Sequence, residues 1–138
     1  MTLRHSSGGF TLIEMMVVIV IIAVLLAIGL PAYQQQVIRG HRAAAKAEML
    51  EIGNRQQQYL LSNRTYTSDF TASTIADLSY QLPGDVAAKY EIFELTTLSA
   101  GSLPAFSLTF RPIGTQGKDG PLTLNSVGER GPPEKWAR

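Results

Sequence analysis

A single carboxylate near the start of a long apolar segment is the most informative reactive group in this chain. Glu14 ends the motif Gly8-Gly9-Phe10-Thr11-Leu12-Ile13-Glu14, and an apolar run to Leu30 follows it directly. A charged side chain in a bilayer core costs about 2.5–3.5 kcal/mol, so Glu14 is expected to have a cationic partner. Cleavage after Gly9 would give Phe10 a free α-amino group about one helical turn from Glu14. The spacing predicts that, in a polymer of such chains, the Phe10 amine of one subunit pairs with the Glu14 carboxylate of a neighbour.

Residue types that serve in catalysis or metal binding are sparse elsewhere. The two histidines are His5, which a cleaved leader would carry away, and His41, so neither a catalytic triad nor a histidine metal site is predicted. The sequence contains no cysteine, which excludes disulfides, zinc–thiolate sites and cysteine nucleophiles. For Asp119 calcium binding is an alternative, but a simple turn residue is the favoured interpretation. The sequence therefore predicts no enzyme, no metal and no cofactor.

A basic group follows the apolar segment and spans about two turns of a predicted helix. It consists of Arg39, His41, Arg42 and Lys46. Two interpretations stay open: a solvated helix face close to lipid headgroups, and a contact with acidic residues of a neighbouring subunit. Direct nucleic-acid binding is less favoured. The formal net charge of +1, which loss of Arg4 with the leader would cancel, gives no global attraction to nucleic acid.

The apolar segment has the length of a membrane span. Within residues 10–30 the only clearly polar side chains are Thr11 and Glu14, and a helix of this length would measure about 31 Å, the thickness of a bilayer core. A removable secretory signal is the alternative, but this run is longer and lacks a small-residue cleavage site at its far end. We therefore expect a cleaved leader at residues 1–9, a transmembrane and polymerisation helix at 10–31, and a globular domain at 32–138.

The orientation of this segment is inferred from the leader rather than from a count of charges. Arg39, Arg42 and Lys46 alone would place the far side in the cytoplasm by the positive-inside rule. The nearest of them lies well beyond Leu30, however, and a cut after Gly9 requires a protease at the cytoplasmic face. The leader is therefore expected inside and the domain outside.

The helix is expected to continue far beyond the membrane segment, to about Leu61. From Tyr33 onward the pattern is amphipathic, and one face carries Ala45, Met49, Ile52, Tyr59 and Leu60. We expect Tyr59 to lie in the core beneath a sheet. Pro31 removes one helical hydrogen bond and should kink or loosen the helix. Asn63 is the predicted helix stop.

The C-terminal half changes to a period of two residues, which is typical of strands. Candidate strands are residues 90–97, 106–111 and 122–124, and the side chains expected to face the helix are Phe106, Leu108 and Phe110. Residues 64–88 are predicted to be a connecting loop with a helical turn near 73–78. Gly101-Ser102 and residues 114–120 are predicted turns. The predicted fold class is α+β: a long N-terminal α-helix, amphipathic in its outer half, packed on a small antiparallel β-sheet.

Several motifs carry a resemblance to a known family. Residues 9–14, the apolar run and Pro31-Ala32-Tyr33 resemble the class III signal and N-terminal helix of type IV pilins, a motif shared with the pseudopilins of type II secretion. A second similarity, to the PilE-like pilins of type IVa pili, rests on RQQQY at 55–59, NRTYT at 63–67 and LTLNSVG at 122–128. The chain is identified as a PilE-like type IVa (minor) pilin, for which the type IV pilin fold is expected.

The resemblance implies how the chain is processed and assembled. A prepilin peptidase would cut between Gly9 and Phe10 and methylate the new Phe10 amine, and Glu14 would neutralise that amine on an adjacent subunit. Pro31 would mark where the helix loosens in the filament. The implied partners are other pilin subunits, the prepilin peptidase, the inner-membrane pilus assembly machinery and membrane lipid.

The resemblance also implies a location and a role. The chain would be a single-pass inner-membrane protein with its C-terminal domain in the periplasm, and would enter an extracellular pilus on assembly. Its role would be pilus assembly, twitching motility and adhesion.

The C-terminus departs from the family pattern. Pilins of this group usually close a C-terminal loop with a disulfide, whereas here Trp136 follows Pro132-Pro133 in a chain without cysteine. Closing such a loop is worth about 3 kcal/mol in the chain-entropy picture. Packing of Trp136 and the stiffness of the two prolines are therefore expected to hold this segment.

Two alternative functions follow from the same resemblance. Some PilE-like minor pilins are DNA-uptake receptors, and six cations are candidates for such a role: Lys89, Arg111, Lys118, Arg130, Lys135 and Arg138. Nearby acids balance them and argue against strong DNA binding: Asp85, Glu91, Glu94, Asp119, Glu129 and Glu134. A type II secretion pseudopilin is the other alternative, without the carboxylate-rich calcium loop of the major pseudopilin type.

Overall fold

The computed structural model describes residues 9–98 and 103–137, so the leader residues 1–8, the predicted turn Gly101-Ser102 and the candidate cation Arg138 lie outside the described residues. The elements in chain order are α1 Leu12–Asn63, β1 Thr74–Ile75, β2 Tyr80–Gln81, α2 Gly84–Ala87, β3 Tyr90–Leu98, β4 Ala105–Pro112, β5 Leu122–Asn125, β6 Arg130–Gly131 and α3 Pro133–Trp136. Two 3₁₀ helices, Ala76–Leu78 and Gly114–Asp119, lie between them. The chain divides into two compact units, one ending at Val37 and the other beginning at Ile38.

Helix α1 begins at Leu12, two residues after the predicted start at Phe10. Thr11 caps the helix, because its hydroxyl accepts a hydrogen bond from the Glu14 backbone N–H at 3.3 Å and its carbonyl accepts one from Met15 at 3.2 Å. A threonine three residues before a glutamate is a recognised helix-start signal. Phe10 therefore precedes the helix rather than opening it.

The same helix runs through Pro31 and ends at Asn63, the predicted stop. At this end Arg64 adopts a left-handed conformation with a φ of 59°, and its N–H donates to the Leu60 carbonyl at 2.7 Å. The Asn63 side chain also donates to the Tyr59 carbonyl at 3.1 Å. These bonds satisfy carbonyls that the end of a helix leaves unpaired.

One face of α1 in the second unit lies in the hydrophobic core. Ala45, Met49 and Ile52 are fully buried, which confirms their prediction, whereas Tyr59 and Leu60 are only partly buried at its edge. The fourth fully buried position on this face is Gln56, which the apolar pattern did not include. A glycine at position 53 allows close approach to the sheet, since a β-carbon there would lie 3.3 Å from Leu124 Cδ2.

The main sheet is antiparallel with strand order β3-β4-β5-β6. The three predicted strands correspond to β3, β4 and β5, each extended at one or both ends. Phe106, Leu108 and Phe110 are buried, as their alternation predicted. Strand β6 was not predicted, because the two residues Arg130 and Gly131 carry no alternating pattern. The predicted α+β fold class is confirmed.

The segment predicted as a connecting loop at 64–88 is more ordered than expected. It contains the predicted helical turn, at Ala76–Leu78, but also helix α2 and a small antiparallel hairpin in which Thr74 pairs with Gln81 and Ile75 with Tyr80. Six of its side chains belong to the core: Tyr66, Ile75, Leu78, Tyr80, Leu82 and Val86. Their irregular spacing fits neither a helical nor a strand period, so the pattern did not reveal them.

Candidate functional sites

The first candidate site is the apolar part of α1, in the first unit. Side chains from Phe10 to Leu30 are exposed; Phe10 retains 80% of its accessible surface and Leu12 78%. The helix is long and apolar enough to cross a membrane, and its most apolar window is 0% buried within the chain. So large an apolar surface calls for a covering of lipid or of other protein.

Each residue predicted to act at this site is accessible. Gly9 and Phe10 are both exposed, and among the described residues beyond its chain neighbours none has an atom within 4 Å of where a β-carbon on Gly9 would be. Glu14 lies in the first turn of α1, where a carboxylate favours the positive end of the helix dipole. Glu14 makes no ion pair within the described part of the chain. Its side chain is therefore available to a second molecule.

The second candidate site is a polar cluster in the core of the second unit. The Arg42 Nε donates to Asp119 Oδ2 at 3.0 Å, and Arg42 also forms an ion pair with Asp119 Oδ1. The Tyr90 hydroxyl donates to the same carboxylate. The Gln116 amide donates to the Tyr90 hydroxyl at 3.1 Å and to the Ile38 carbonyl at 3.0 Å. The 3₁₀ helix Gly114–Asp119 is thereby tied to both α1 and β3.

The electrostatics of this cluster follow from burial and pairing. The Asp119 side chain is only 1% exposed. Burial by itself raises the pKa of Asp119, but hydrogen bonds from Arg42 and Tyr90 outweigh it and hold that pKa below its ordinary value. Burial, reinforced by the Asp119 carboxylate, raises the pKa of Tyr90 well above its usual range. At neutral pH Asp119 is therefore charged and Tyr90 neutral.

This cluster corrects two predictions. Asp119 is not a simple turn residue, because it is the buried partner of Arg42. The described residues contain no group of three metal-ligating side chains. Arg42 is not available to lipid or to a neighbouring subunit as the other predicted basic residues are, because its guanidinium is paired with Asp119. Arg39 is exposed, while His41 and Lys46 are partly buried. Sequence reasoning also missed Gln116, since a glutamine in a glycine-rich loop gives no sign of burial.

Another predicted cation on the sheet is also engaged. Arg111 forms an ion pair with Glu91 and stacks over the Phe93 ring at 4.2 Å. Lys89 Nζ lies 3.4 Å from the Thr115 hydroxyl. At Arg111, the predicted balance of cations by nearby acids therefore takes the form of a direct ion pair with Glu91.

The C-terminal segment is held by Trp136, as predicted. The indole is partly buried against the core, and its Nε1 donates to the Gly131 carbonyl at 3.1 Å. Lys46 Nζ and the Arg130 guanidinium lie 5.5 Å and 5.3 Å from the centre of the indole ring. Cation–π contacts of this kind are worth about 0.5–1 kcal/mol each at exposed sites.

Comparison with known proteins places this architecture in a family. Residues 4–30 match the family model described as a prokaryotic N-terminal methylation motif. Residues 31–123 match the model described as type IV minor pilin ComP, DNA uptake sequence receptor. The chain belongs to the type IV pilin family. Its apolar helix and its sheet domain are thus the two parts of a type IV pilin.

Curated relatives are pilins of several bacteria. The type IV major pilin protein PilE1 of Neisseria gonorrhoeae is 32% identical over 99 residues, 67% of this chain and 59% of that protein. The type IV major alpha-pilin of Moraxella bovis is 32% identical over 109 residues, covering 73% and 69%. The chain spans about half the length of several such relatives: it matches 59% and 43% of two PilE1 proteins and 42% of a PilE protein of N. gonorrhoeae. Family membership also supports the prediction that the chain is not an enzyme.

Proposed function

We propose that this chain is a structural subunit of a type IV pilus and polymerises through the apolar part of α1. The observation that carries the proposal is an exposed apolar helix with Glu14 as its one ionisable side chain between Phe10 and Leu30. Such a surface suits the bilayer before assembly and the packed helices of a filament afterwards. The subunit would support pilus assembly, twitching motility and adhesion.

Processing would prepare the chain for this role. A prepilin peptidase would cut the exposed bond between Gly9 and Phe10 and methylate the Phe10 amine, which still carries a positive charge after methylation. In the filament the Glu14 carboxylate of one subunit would pair with this amine of its neighbour. Pro31, which α1 accommodates here without a break, would be the place where the helix loosens on packing.

The partners and the location follow from the same proposal. The subunit would wait in the inner membrane as a single-pass protein with its domain in the periplasm. The inner-membrane assembly machinery would then transfer it to a filament made of the same or related pilins. No global charge opposes polymerisation, because the formal net charge is only +1 with the leader attached.

A direct test combines mass spectrometry with a substitution. In surface filaments sheared from the native host, the protein should begin at methylated Phe10. Glu14→Ala should insert into the membrane normally but leave the Phe10 ammonium unpaired, at a cost of about 2.5–3.5 kcal/mol. Its incorporation into filaments should therefore fall by about 100-fold.

The matched control is Glu94→Ala, which removes an exposed carboxylate that makes no hydrogen bond or ion pair in the described residues. This variant should enter filaments normally. Normal incorporation of Glu14→Ala would contradict the proposed assembly mechanism. Processed protein that stays in the envelope and is absent from surface pili would instead indicate a pseudopilin of a secretion system.

A second candidate function is binding of DNA during uptake, which the match of residues 31–123 favours because that model describes a DNA uptake sequence receptor. Fluorescence anisotropy of the full chain in detergent would test it with labelled duplexes. A receptor should prefer its uptake sequence over a shuffled duplex of equal length, and binding should weaken as salt rises. Equal, weak binding to both duplexes would leave only the structural role.

A further inference from the structure

A cationic groove lies in the second unit, between α1 and the C-terminal helix α3. Its volume is about 560 Å³. Its chemically active lining consists of Arg39, Arg42, Lys46, Glu134, Lys135 and Trp136. Four of these side chains are cationic and one is anionic, so the groove carries a net positive charge. It is large enough for a phosphate group with its substituents.

Three of the four cations are free to bind an anion. Arg42 is committed to the buried Asp119, whereas Arg39, Lys46 and Lys135 make no ion pair within the described residues. Lys135 lies against Gly120, since a β-carbon there would be 2.5 Å from its Nζ. Burial and the nearby Arg42 charge lower the pKa of Lys46. A bound anion would relieve this crowding of positive charge.

The tryptophan in the groove also points to a membrane surface. Trp136 is the one tryptophan of the chain, and Lys46 and Arg130 lie on its ring. Tryptophan is enriched where bilayers meet water, because its ring is apolar and its N–H is polar. Lysine and arginine reach the same zone with their long side chains.

Chain connectivity keeps the groove near the membrane. Arg39 follows Leu30, the last residue of the apolar run, by nine positions in the chain. Nine residues span at most about 30 Å even when fully extended, so the chain tethers Arg39 within that distance of the end of the apolar run. The headgroup zone beyond the hydrocarbon core is about 5–8 Å thick on each side. A headgroup phosphate is therefore within reach of the tethered groove.

We propose that this groove binds the phosphate of an anionic phospholipid headgroup while the subunit waits in the membrane for assembly. The proposal rests on the proposed function, since it requires the apolar segment to reside in a bilayer. Duplex DNA fits the groove less well. Salt-dependent DNA binding typically neutralises about 6–10 phosphates along a track, whereas three free cations beside Glu134 match a single phosphate.

Quenching of Trp136 fluorescence tests the proposal. The full-length chain would be reconstituted in phosphatidylcholine vesicles with a graded content of phosphatidylglycerol, starting from none, because an anionic surface attracts each lysine or arginine by about 1 kcal/mol. A nitroxide on a fraction of the phosphatidylcholine headgroups would quench Trp136 when it contacts the bilayer surface. Quenching should rise with phosphatidylglycerol. In Arg39→Gln, Lys46→Gln and Lys135→Gln, half-maximal quenching should require about fivefold more anionic lipid for each cation removed.

Arg64→Gln is the matched control, because Arg64 is exposed, makes no ion pair in the described chain and does not line the groove. It should behave as the unaltered protein, with circular dichroism confirming that every variant is folded. Quenching that does not depend on phosphatidylglycerol, or that falls equally in Arg64→Gln, would overturn the proposal. So would a saturable change in Trp136 fluorescence in pure phosphatidylcholine vesicles without nitroxide on adding inorganic phosphate, which would indicate a free-phosphate site, or on adding duplex DNA, which would indicate a nucleic-acid site.

Flotation of the vesicles separates this proposal from the one on which it rests. Protein that does not float with the vesicles contradicts membrane residence, and both proposals fail. Protein that floats without any phosphatidylglycerol effect contradicts the groove proposal alone, because filament incorporation through Glu14 is measured independently.

Discussion

At the scale of single residues, Asp119 should be among the most sensitive positions in the domain. Its carboxylate is buried and is the common acceptor for Arg42, Tyr90 and Gln116. Asp119→Asn would leave the Arg42 charge without its partner while keeping the volume of the side chain. Removing one member of a buried pair costs about 3–5 kcal/mol, and partial exposure of Arg42 should reduce this to about 2–4 kcal/mol. Urea unfolding of the full chain in detergent, followed by Trp136 fluorescence, measures the loss.

Asp69→Asn serves as the control, because Asp69 is exposed and its carboxylate accepts no hydrogen bond from another described residue; it should change stability by less than about 0.5 kcal/mol.

The pH dependence of the unfolding free energy separates the contribution of the Asp119 charge from that of side-chain packing. The pKa of Asp119 is lower in the folded state, so its contribution is complete above the unfolded value of about 3.9 and is lost as pH falls through the folded value. The unaltered protein should lose this component on acidification, whereas Asp119→Asn should not. Parallel acid profiles for the two proteins would contradict this account of the cluster.

At the scale of elements, Gln56 connects helix α1 to the segment that follows it through two hydrogen bonds to Thr67. Its Nε2 donates to the Thr67 carbonyl at 2.8 Å, and its Oε1 accepts from the Thr67 N–H at 3.1 Å. Both residues are buried, so Gln56→Leu would leave two backbone groups without partners at about 1–3 kcal/mol each. We expect a total loss of about 2–4 kcal/mol and faster hydrogen exchange at the Thr67 amide.

Gln58→Leu tests whether this loss is specific. Gln58 lies on the same helix, two residues away, but its side chain is exposed and makes no hydrogen bond in the described residues. Exchange at Thr67 should be unchanged in this variant. Equal acceleration in both variants would mean that α1 itself, rather than the bond to Thr67, had been weakened.

The elements differ in how far the sequence could predict them. Helix α1 and strands β3 to β5 were predictable because their apolar residues recur at the spacing of a helix or strand, and Asn63 marked the helix end. The hairpin of β1 and β2 was not, because its core residues follow no period. Buried polar residues were also missed, since their burial depends on distant partners: Arg42 and Asp119 are 77 positions apart. The assembly residues Gly9, Phe10 and Glu14 were found because they form a local motif.

At the scale of the whole molecule, the division at Val37 and Ile38 predicts that the second unit can exist alone. A fragment of residues 38–138 retains the core, the buried cluster around Asp119 and the bond between Gln56 and Thr67, but lacks the exposed apolar segment. It should therefore be soluble, monomeric by light scattering, and unfold in one cooperative transition. The full chain should require detergent or lipid under the same conditions.

Three of the exposed apolar side chains on this fragment are the candidates for any self-association. Their exposed fractions are 68% for Leu98, 89% for Leu103 and 79% for Val127. If these three side chains act as one apolar patch, that patch would favour self-association of the fragment. Val127→Ser would then restore the monomer, whereas Leu61→Ser, at an 85% exposed position on α1, would not. A fragment that dimerises strongly and responds to Val127→Ser would establish a second interface on the sheet domain. A monomeric fragment would mean that polymerisation depends on the apolar helix alone.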